Sequence, residues 1–549
     1  MVLPKLIRAV RRQVNGWLLV SLVGAVVVLL PLLPIIASLF TAPNENWDHI
    51  RTYLLKDNVL QSLQLVLVTG TLTALLGVSL AWLVAAYDFP MKRFFRWALM
   101  LPLAVPPYVA AYTYNTMFSY TGVVQDLLRW AGYVPNPKTF GVMSARGAIF
   151  IFTLFLFPYV YMVTRSFLER QSGNYIENAI LLGRGPLAIF TRIVLPISRP
   201  AIIGGVTLVV FEVLADYGVT SFFGVHTITT AIFRTWFGMY DVDSALRLAA
   251  WLMVGILGLV LAERFLRQNR RFSASTSKSR PLAPRRLRGL SALLAWAFCG
   301  FIFACSFLIP IVQLSVWATW TYTDVLTGSF LTLTYRTAWV ALAATGVTVL
   351  FAVVVANYAR TQPSPFSHGL ARLLTAGYSI PGAIVAVGVL ALFIGLDQRI
   401  AALHAWLGLG GKPLVLSLSV VMLLVAYVVR FTATAYHPVD AGFEKVGTKY
   451  MEASRMLGLG VTRTFLKVDL PLVKGAIFSG AILTLVEIVK ELPLALLLRP
   501  FNFETLATKT YQYASNEQIH EAAVPSLLIV TVSMISVWVL HRVGRESQS

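Results

Sequence analysis

The chain has 549 residues, 57% of them hydrophobic and only 13% charged, with a mean hydropathy of +0.73. A water-soluble protein could not cover so apolar a chain with polar groups, so ordinary soluble folds are excluded and the bilayer is the solvent. The formal charge of +21 would point to nucleic acid in a soluble protein, but an integral membrane protein collects Lys and Arg in its loops anyway, and no nucleic-acid partner is expected.

Apolar runs of about 20 residues, long enough to cross a bilayer, follow one another along the chain. The first, at 17–40, comes after Lys5, Arg8, Arg11 and Arg12. Its apolar stretch exceeds that of a cleaved leader and no A-x-A site follows, so a retained helix is expected. Runs at 61–87, 94–117 and 147–168 precede a stretch of different character, NYIENAILL at 174–182. Its apolar and small residues recur at helical spacing, and Glu177 near its start complements a helix dipole. Gly183 then permits the positive backbone angle that ends a helix and turns the chain. Pro196 sits where the next helix is expected to begin, a position at which its missing N–H costs nothing. The span that follows, 198–220, contains Glu212 and Asp216, and 246–264 completes six spans.

Residues 265–290, FLRQNRRFSASTSKSRPLAPRRLRGL, are rich in Arg, Ser and Pro and read as a flexible linker. Six further runs lie at 289–316, 337–358, 370–395, 414–435, 472–498 and 523–541. Cys299 and Cys305 fall six apart in one of them, on different helix faces, and are read as packing residues. Before the eleventh run comes KYMEASRML at 449–457, in which Glu452, Gly458 and Pro471 repeat Glu177, Gly183 and Pro196 at an offset of 275 residues. Glu487 and Glu491 repeat Glu212 and Asp216 at the same offset, with Lys490 beside them. A period this long marks two domain-sized copies, 1–264 and 291–549, joined by the linker.

The expected fold is all-α: a polytopic membrane protein of twelve transmembrane helices. An even number of spans in each copy makes the two parallel repeats, related by an axis along the membrane normal. Alternate loops carry 32 Lys and Arg on the side of the N-terminus against 12 on the other. The positive-inside rule then puts both termini and both motif copies in the cytoplasm. Each motif would form a short helix, a turn and a second helix on that face, a knob suited to a groove on a partner protein.

A charge near mid-bilayer costs roughly 2.5–3.5 kcal/mol on insertion scales, so Glu212, Asp216, Glu487, Lys490 and Glu491 are expected to face the bundle interior or water. At i and i+4 each acidic pair would share one helix face. Glu212 lies 16 positions beyond Pro196, or about 24 Å along a helix axis, toward the periplasmic side. Four carboxylates around a central path, one offset by Lys490, suit a hard cation. Glu212 and Glu487 are the expected transient metal contacts, with no resident metal site. The competing structural reading is interhelical pairing, for instance Lys490 with Asp216.

No G-x4-G-K-[ST] motif occurs; the nearest string, GLGGKP at 408–413, lacks the first Gly and has Pro413 after Lys412. ATP chemistry would therefore come from a partner. The seven histidines, at 49, 226, 368, 404, 437, 520 and 541, show no metal-ligand spacing. No Ser/His/Asp or Cys/His arrangement stands out, so no catalytic residue and no bound cofactor are expected.

The doubled stretch resembles the EAA motif of binding-protein-dependent ABC importer permeases: Glu-Ala-Ala, three residues and Gly, then nine residues and Ile-x-Leu-Pro. Copy one departs at Asn178, copy two at Ser454 and Val468. The resemblance implies a type I importer permease fold in which Glu177, Ala179, Gly183 and Pro196, with Glu452, Ala453, Gly458 and Pro471, form two coupling helices. These would dock on two cytoplasmic ABC ATPase subunits, which use ATP and Mg. It also implies a periplasmic substrate-binding protein, expected at loops 221–245 and 498–522, and a place in the bacterial inner membrane in contact with lipid.

Residues 214–241 and 490–515 are similar to the fused, double-length permeases of ferric-iron importers; thiamine, polyamine and aminophosphonate permeases share the general plan. The rival class is an ion-gradient-driven secondary transporter. Such carriers show a Gly-x3-Asp-Arg-type loop between spans 2 and 3, where this chain has DFPMKRFFRW.

Overall fold

The computed structural model describes residues 16–134, 136, 141–170, 178–179, 181–268, 284–408, 415–417 and 419–546. Glu177 and most of the linker lie outside the described residues. Nearly everything described is helix, as a chain in hydrocarbon requires, because a helix satisfies its own backbone. Among the described residues the sole strand pairing is a two-residue parallel bridge of Tyr87–Asp88 with Arg285–Arg286, where the linker rejoins the first half.

Nine described helices are long and apolar enough to cross a membrane, two bent pairs are further candidates, and Ala523–Val539 is a shorter apolar helix. They fall one for one on the twelve apolar runs. The third and ninth runs are drawn differently from expectation. Residues 370–395 are not one helix: Pro365–Thr375 and Gly382–Trp406 are separated by a tight turn and Pro381, whose extended backbone and missing N–H break the ladder. In the first half Pro106 does the same, and the chain bends by 91° between Lys92–Ala104 and Pro107–Trp130. Hydropathy alone reads through both breaks.

Three helices form the centre of each half and correspond at the 275-residue offset. They are Leu55–Ala86, Ala145–Arg170 and Leu195–Ala215 in the first, and Gly328–Thr361, Val420–Val446 and Leu470–Lys490 in the second. Within each half the three pack on one another. With no water to drive helix association in lipid, close backbone approach does the work. A Cβ on Gly205 would meet the Cα of Val160 at 2.7 Å, and one on Gly480 would meet the carbonyl oxygen of Ala435 at 2.9 Å. These are the same pair of positions in the two copies.

The outer helices are exchanged between halves. Gly16–Leu29 packs on Gly328–Thr361 and Pro365–Thr375, its Ala25 and Val28 buried with Val340 and Ala344 of the second half. Reciprocally, Leu290–Phe303 packs on Lys92–Ala98, and Ile309–Val325 buries Leu314 and Trp317 against first-half residues such as Leu101 and Tyr112. Val242–Gln268 lies on Gly382–Trp406. Each half thus completes the other's apolar surface.

The ends of the bundle far from the motif copies are fastened in the same way twice. Thr227 and Thr230 make a capping box at Ile228–Met239, and Thr505 and Thr508 make one at Leu506–Ser515. The hydroxyl of Ser62 accepts from the N–H of Ile228 at 3.0 Å, and that of Thr337 accepts from Leu506 at 3.0 Å. Cys299 and Cys305 are free thiols, and Cys299 is buried among apolar residues.

The glycine contacts lead to a stability prediction. Gly205→Val and Gly480→Val each force the paired helices apart and should cost about 1–3 kcal/mol, read as a lower thermal midpoint of the detergent-solubilised protein. Gly204→Ala, with nothing within 4 Å of the new methyl group, should leave the midpoint unchanged.

Candidate functional site

Two regions gather the residues singled out in the sequence: a pair of exposed helical knobs and a charged cavity on the axis between the halves. The second knob is the helix Lys449–Met456, with Glu452 exposed in its first turn. It ends at Gly458, whose φ of +84° only glycine adopts easily, and the N–H of Leu459 donates to the carbonyl of Ser454 at 3.2 Å. In the first knob Asn178 and Ala179 are helical, Gly183 has φ +73°, and the N–H of Arg184 donates to the carbonyl of Ala179 at 3.0 Å. The glycine turns are as expected from the sequence.

The tips carry an apolar pair that the sequence reading did not single out. Leu181 and Leu182 are 84% and 80% exposed; Met456 and Leu457, their counterparts 275 residues on, are 90% and 84% exposed. Ala453 is exposed beside Glu452, whereas Ala179 is buried and packs the first knob onto its base. Ala179 therefore does not belong to the outward surface; its counterpart is Ser454, also buried.

Pro196 and Pro471 stand in the first turn of the α-helical segments Leu195–Ala215 and Leu470–Lys490, as expected, but those segments continue a longer rod. The helical rod starts ten residues earlier, at Pro186 and Val461, and runs to Ala215 and Lys490. A π-type turn precedes each proline: Leu195 N–H reaches back five residues to Phe190, and Leu470 N–H to Phe465. The wide turn accommodates a ring that lacks a donor, so the rod continues without a kinked stop.

At the far end of these rods lies the axial cavity, about 90 Å³ in volume. Its lining includes both members of five offset pairs: Glu212 and Glu487, Asp216 and Glu491, Phe155 and Arg430, Ala215 and Lys490, Gly218 and Pro493. A space lined by both members of so many pairs sits on the pseudo-twofold axis. The acidic residues obey the repeat; the two cations occur in the second half alone.

The cations decide the pairing. Lys490 Nζ lies 2.8 Å from Glu487, and Arg430 Nε lies 3.5 Å from Glu491. Lys490 does not pair with Asp216. The sequence reading placed Asp216 and Glu491 on a helix face with Glu212 and Glu487, but the helices stop at Ala215 and Lys490 and both residues have extended backbone. Asp216 accepts from the N–H groups of Val219 and Thr220 at 2.9 and 3.1 Å, and Glu491 accepts from Leu494 at 3.3 Å. Each carboxylate thus caps the short helix that follows, Gly218–Phe222 or Pro493–Leu498. Glu212 lines the cavity and makes no ion pair or hydrogen bond among the described residues.

No group of three or more His, Cys, Asp or Glu among the described residues is arranged to hold a metal ion. The cavity is lined with charge from both halves. Arg430 was missed in the sequence because its counterpart, Phe155, is apolar, so the repeat gave no signal for it.

A larger cavity of about 570 Å³ adjoins, sharing Leu103, Tyr159, Glu487 and Lys490 and lined further by Trp97, His437 and Ser533. His437 is seven residues beyond Arg430 along Val420–Val446, or about 10 Å closer to the second knob. The space between the halves is thus narrow and charged toward one side, and wide and largely apolar toward the knobs.

Comparison with known proteins now identifies the family. The model of the binding-protein-dependent transport system inner membrane component matches residues 74–267 and again 348–545. The Fe(3+)-transport system permease protein FbpB 2 of Haemophilus influenzae is 25% identical over 502 residues, which cover 88% of this chain and 89% of that protein. The spermidine/putrescine transport system permease protein PotB of Escherichia coli is 25% identical over 221 residues, 38% of this chain and 80% of PotB. A probable sulfate transport system permease protein of Marchantia polymorpha is 27% identical over 190 residues, 34% of this chain and 64% of that protein. The chain belongs to the family of inner membrane components of binding-protein-dependent transport systems, the permeases of ABC importers, and carries the family unit twice.

Proposed function

We propose that this permease conducts ferric iron across the bacterial inner membrane through the axial cavity. A periplasmic binding protein would deliver the cargo, and two cytoplasmic ATPase subunits would dock on the knobs. The observation that carries the reading is the full-length similarity to an Fe(3+) permease, set beside a cavity with four carboxylates and two cations. The acidic excess attracts a hard cation, while Lys490 and Arg430 keep the unoccupied site from holding four uncompensated charges in a poorly solvated place. Iron is cargo here.

The loop charge count supports the orientation, with both termini, the linker and both knobs in the cytoplasm. The exposed pairs Leu181/Leu182 and Met456/Leu457, flanked by Glu452 in the second knob, have the composition of a docking surface whose apolar anchors await a partner. Docking helix and cavity belong to one mechanical unit, because each rod begins beside the knob and ends at the acidic residues. ATP-driven approach of the two ATPase subunits would bring the knobs together and tilt the rods, opening the charged constriction to one side and then the other.

Three outcomes test this reading. In vesicles with the partner subunits, labelled ferric iron should accumulate only with ATP, and excess sulfate, spermidine or thiamine should not compete; competition by any of these reassigns the cargo. Replacing Glu212 and Glu487 together by Gln should cut uptake at least about tenfold, by loss of two charge-assisted contacts, while the ATPase still co-purifies; unchanged uptake removes the cavity from the path. Glu452→Lys, Leu457→Glu and Glu177→Lys should each weaken ATPase retention in pull-downs, and normal retention in all three would show that the partner binds elsewhere.

A further inference from the structure

The two docking helices rest on bases of opposite chemistry. Beneath the first knob, Ala85, Leu168, Ala179, Ile189 and Val194 form one small apolar cluster. Adding 275 to each number gives Arg360, Phe443, Ser454, Thr464 and Asp469, the residues that fill the same places beneath the second. There Arg360 Nη1 donates to Asp469 Oδ1 at 3.0 Å, its guanidinium lies 4.9 Å from the centre of the Phe443 ring, and the hydroxyls of Ser454 and Thr464 are 3.0 Å apart. Phe443, Ser454, Thr464 and Asp469 are buried, Asp469 being only 1% exposed, and the Arg360 side chain is 9% exposed.

One further contact gives the polar base a task that the apolar one lacks. Arg360 Nη2 donates to the carbonyl of Gly447. Gly447 ends the long helix Val420–Val446 with φ +70° and is followed, after Thr448, by the docking helix Lys449–Met456. Asp469, the other end of the clasp, closes the π-type turn Phe465–Asp469 near the start of the rod Val461–Lys490 that runs to the axial cavity. The planar guanidinium therefore ties three things at once: the end of Gly328–Thr361, the turn into the docking helix and the foot of the cavity-lining rod. A lysine in its place would keep the charge but could not present two parallel donors to a carboxylate and a carbonyl.

We infer that Arg360 and Asp469 are positioning residues that couple the second docking helix to its rod through a buried ion pair, so that the two sockets of this fused permease are mechanically unequal. This rests on the docking role proposed above for the knobs. The physical basis is an asymmetry of buried ion pairs: removing one partner strands a charge, whereas replacing both with well-packed apolar residues is often neutral. The first half supplies the apolar alternative in Ala85 and Val194, already shaped for this site.

The test uses the full chain reconstituted with its ATPase and binding protein, measuring cargo moved per ATP hydrolysed, the amount of chain recovered and the ATPase retained. Arg360→Ala and Asp469→Asn alone are each expected to lower cargo per ATP at least about fivefold. The pair Arg360→Ala with Asp469→Val, copying the first half, should restore it to within about twofold. Arg360→Lys should accumulate normally yet show reduced cargo per ATP, which separates positioning from folding should the Ala variant be poorly recovered. Normal cargo per ATP in Arg360→Lys, or a double variant no better than the worse single one, overturns the inference. If Leu457→Glu and Glu452→Lys keep normal ATPase retention while Arg360→Lys is impaired, the docking assignment has failed and the clasp has not.

Discussion

Glu212 and Glu487 occupy the same place in two copies of one unit and line one cavity, and the rest of the molecule follows from that meeting on an axis. A carboxylate inside a bilayer protein needs water, a cation or a backbone donor within reach. The duplicated unit delivers four carboxylates to the axis at once, and the chain supplies each kind of relief: N–H groups of short helices for Asp216 and Glu491, Lys490 for Glu487, Arg430 for Glu491 as well, and the cavity itself for Glu212. A homodimer would have to place the same residues on both sides. Fusion into one chain lets Phe155 stand opposite Arg430 and Ala215 opposite Lys490, so the charge in the cavity can be set to an acidic excess that is not fourfold.

The same axis organises the mechanics. Exchange of the outer helices means that neither half presents a complete apolar surface without the other. Close contacts at Gly205 and Gly480 lock each rod to its neighbour. Each rod is 30 residues long, from Pro186 to Ala215 or Val461 to Lys490, or about 45 Å from knob to cavity. A rigid helix of that length carries a displacement at one end to the other without needing a chain of side-chain rearrangements. The connection is physical contiguity along one helix.

Much of this was legible in the sequence because the signals were of the kind a duplicated membrane protein repeats. Offset matches found both motif copies and both acidic pairs, hydropathy found the twelve runs, and the glycines announced turns that the backbone makes at Gly183 and Gly458. What was not legible had no repeat to betray it. Arg430 stands opposite a phenylalanine, and the Arg360 and Asp469 clasp stands opposite Ala85 and Val194. Helix periodicity placed Asp216 and Glu491 on a face, but whether a helix survives four residues further is settled by tertiary packing, and here the chain turns to start a new helix. Pro196 and Pro471 marked the start of α-helical segments but not of the rods, because a π-type turn joins each segment to the helix before it. Ala179 looked like a docking residue by its motif position, yet which side of a short amphipathic helix faces the base depends on what lies beneath it.

The most direct measurement of the central claim uses a chain in which Cys299 and Cys305 are replaced by alanine and cysteines stand at positions 215 and 492, which line the axial cavity from the two halves. If the halves meet around a conduit at these positions, a short bifunctional thiol reagent should join the two cysteines within one chain, arrest uptake and leave the ATPase bound, and the arrest should reverse with a cleavable reagent. Failure to form the link, or full uptake by the linked protein, would contradict the account.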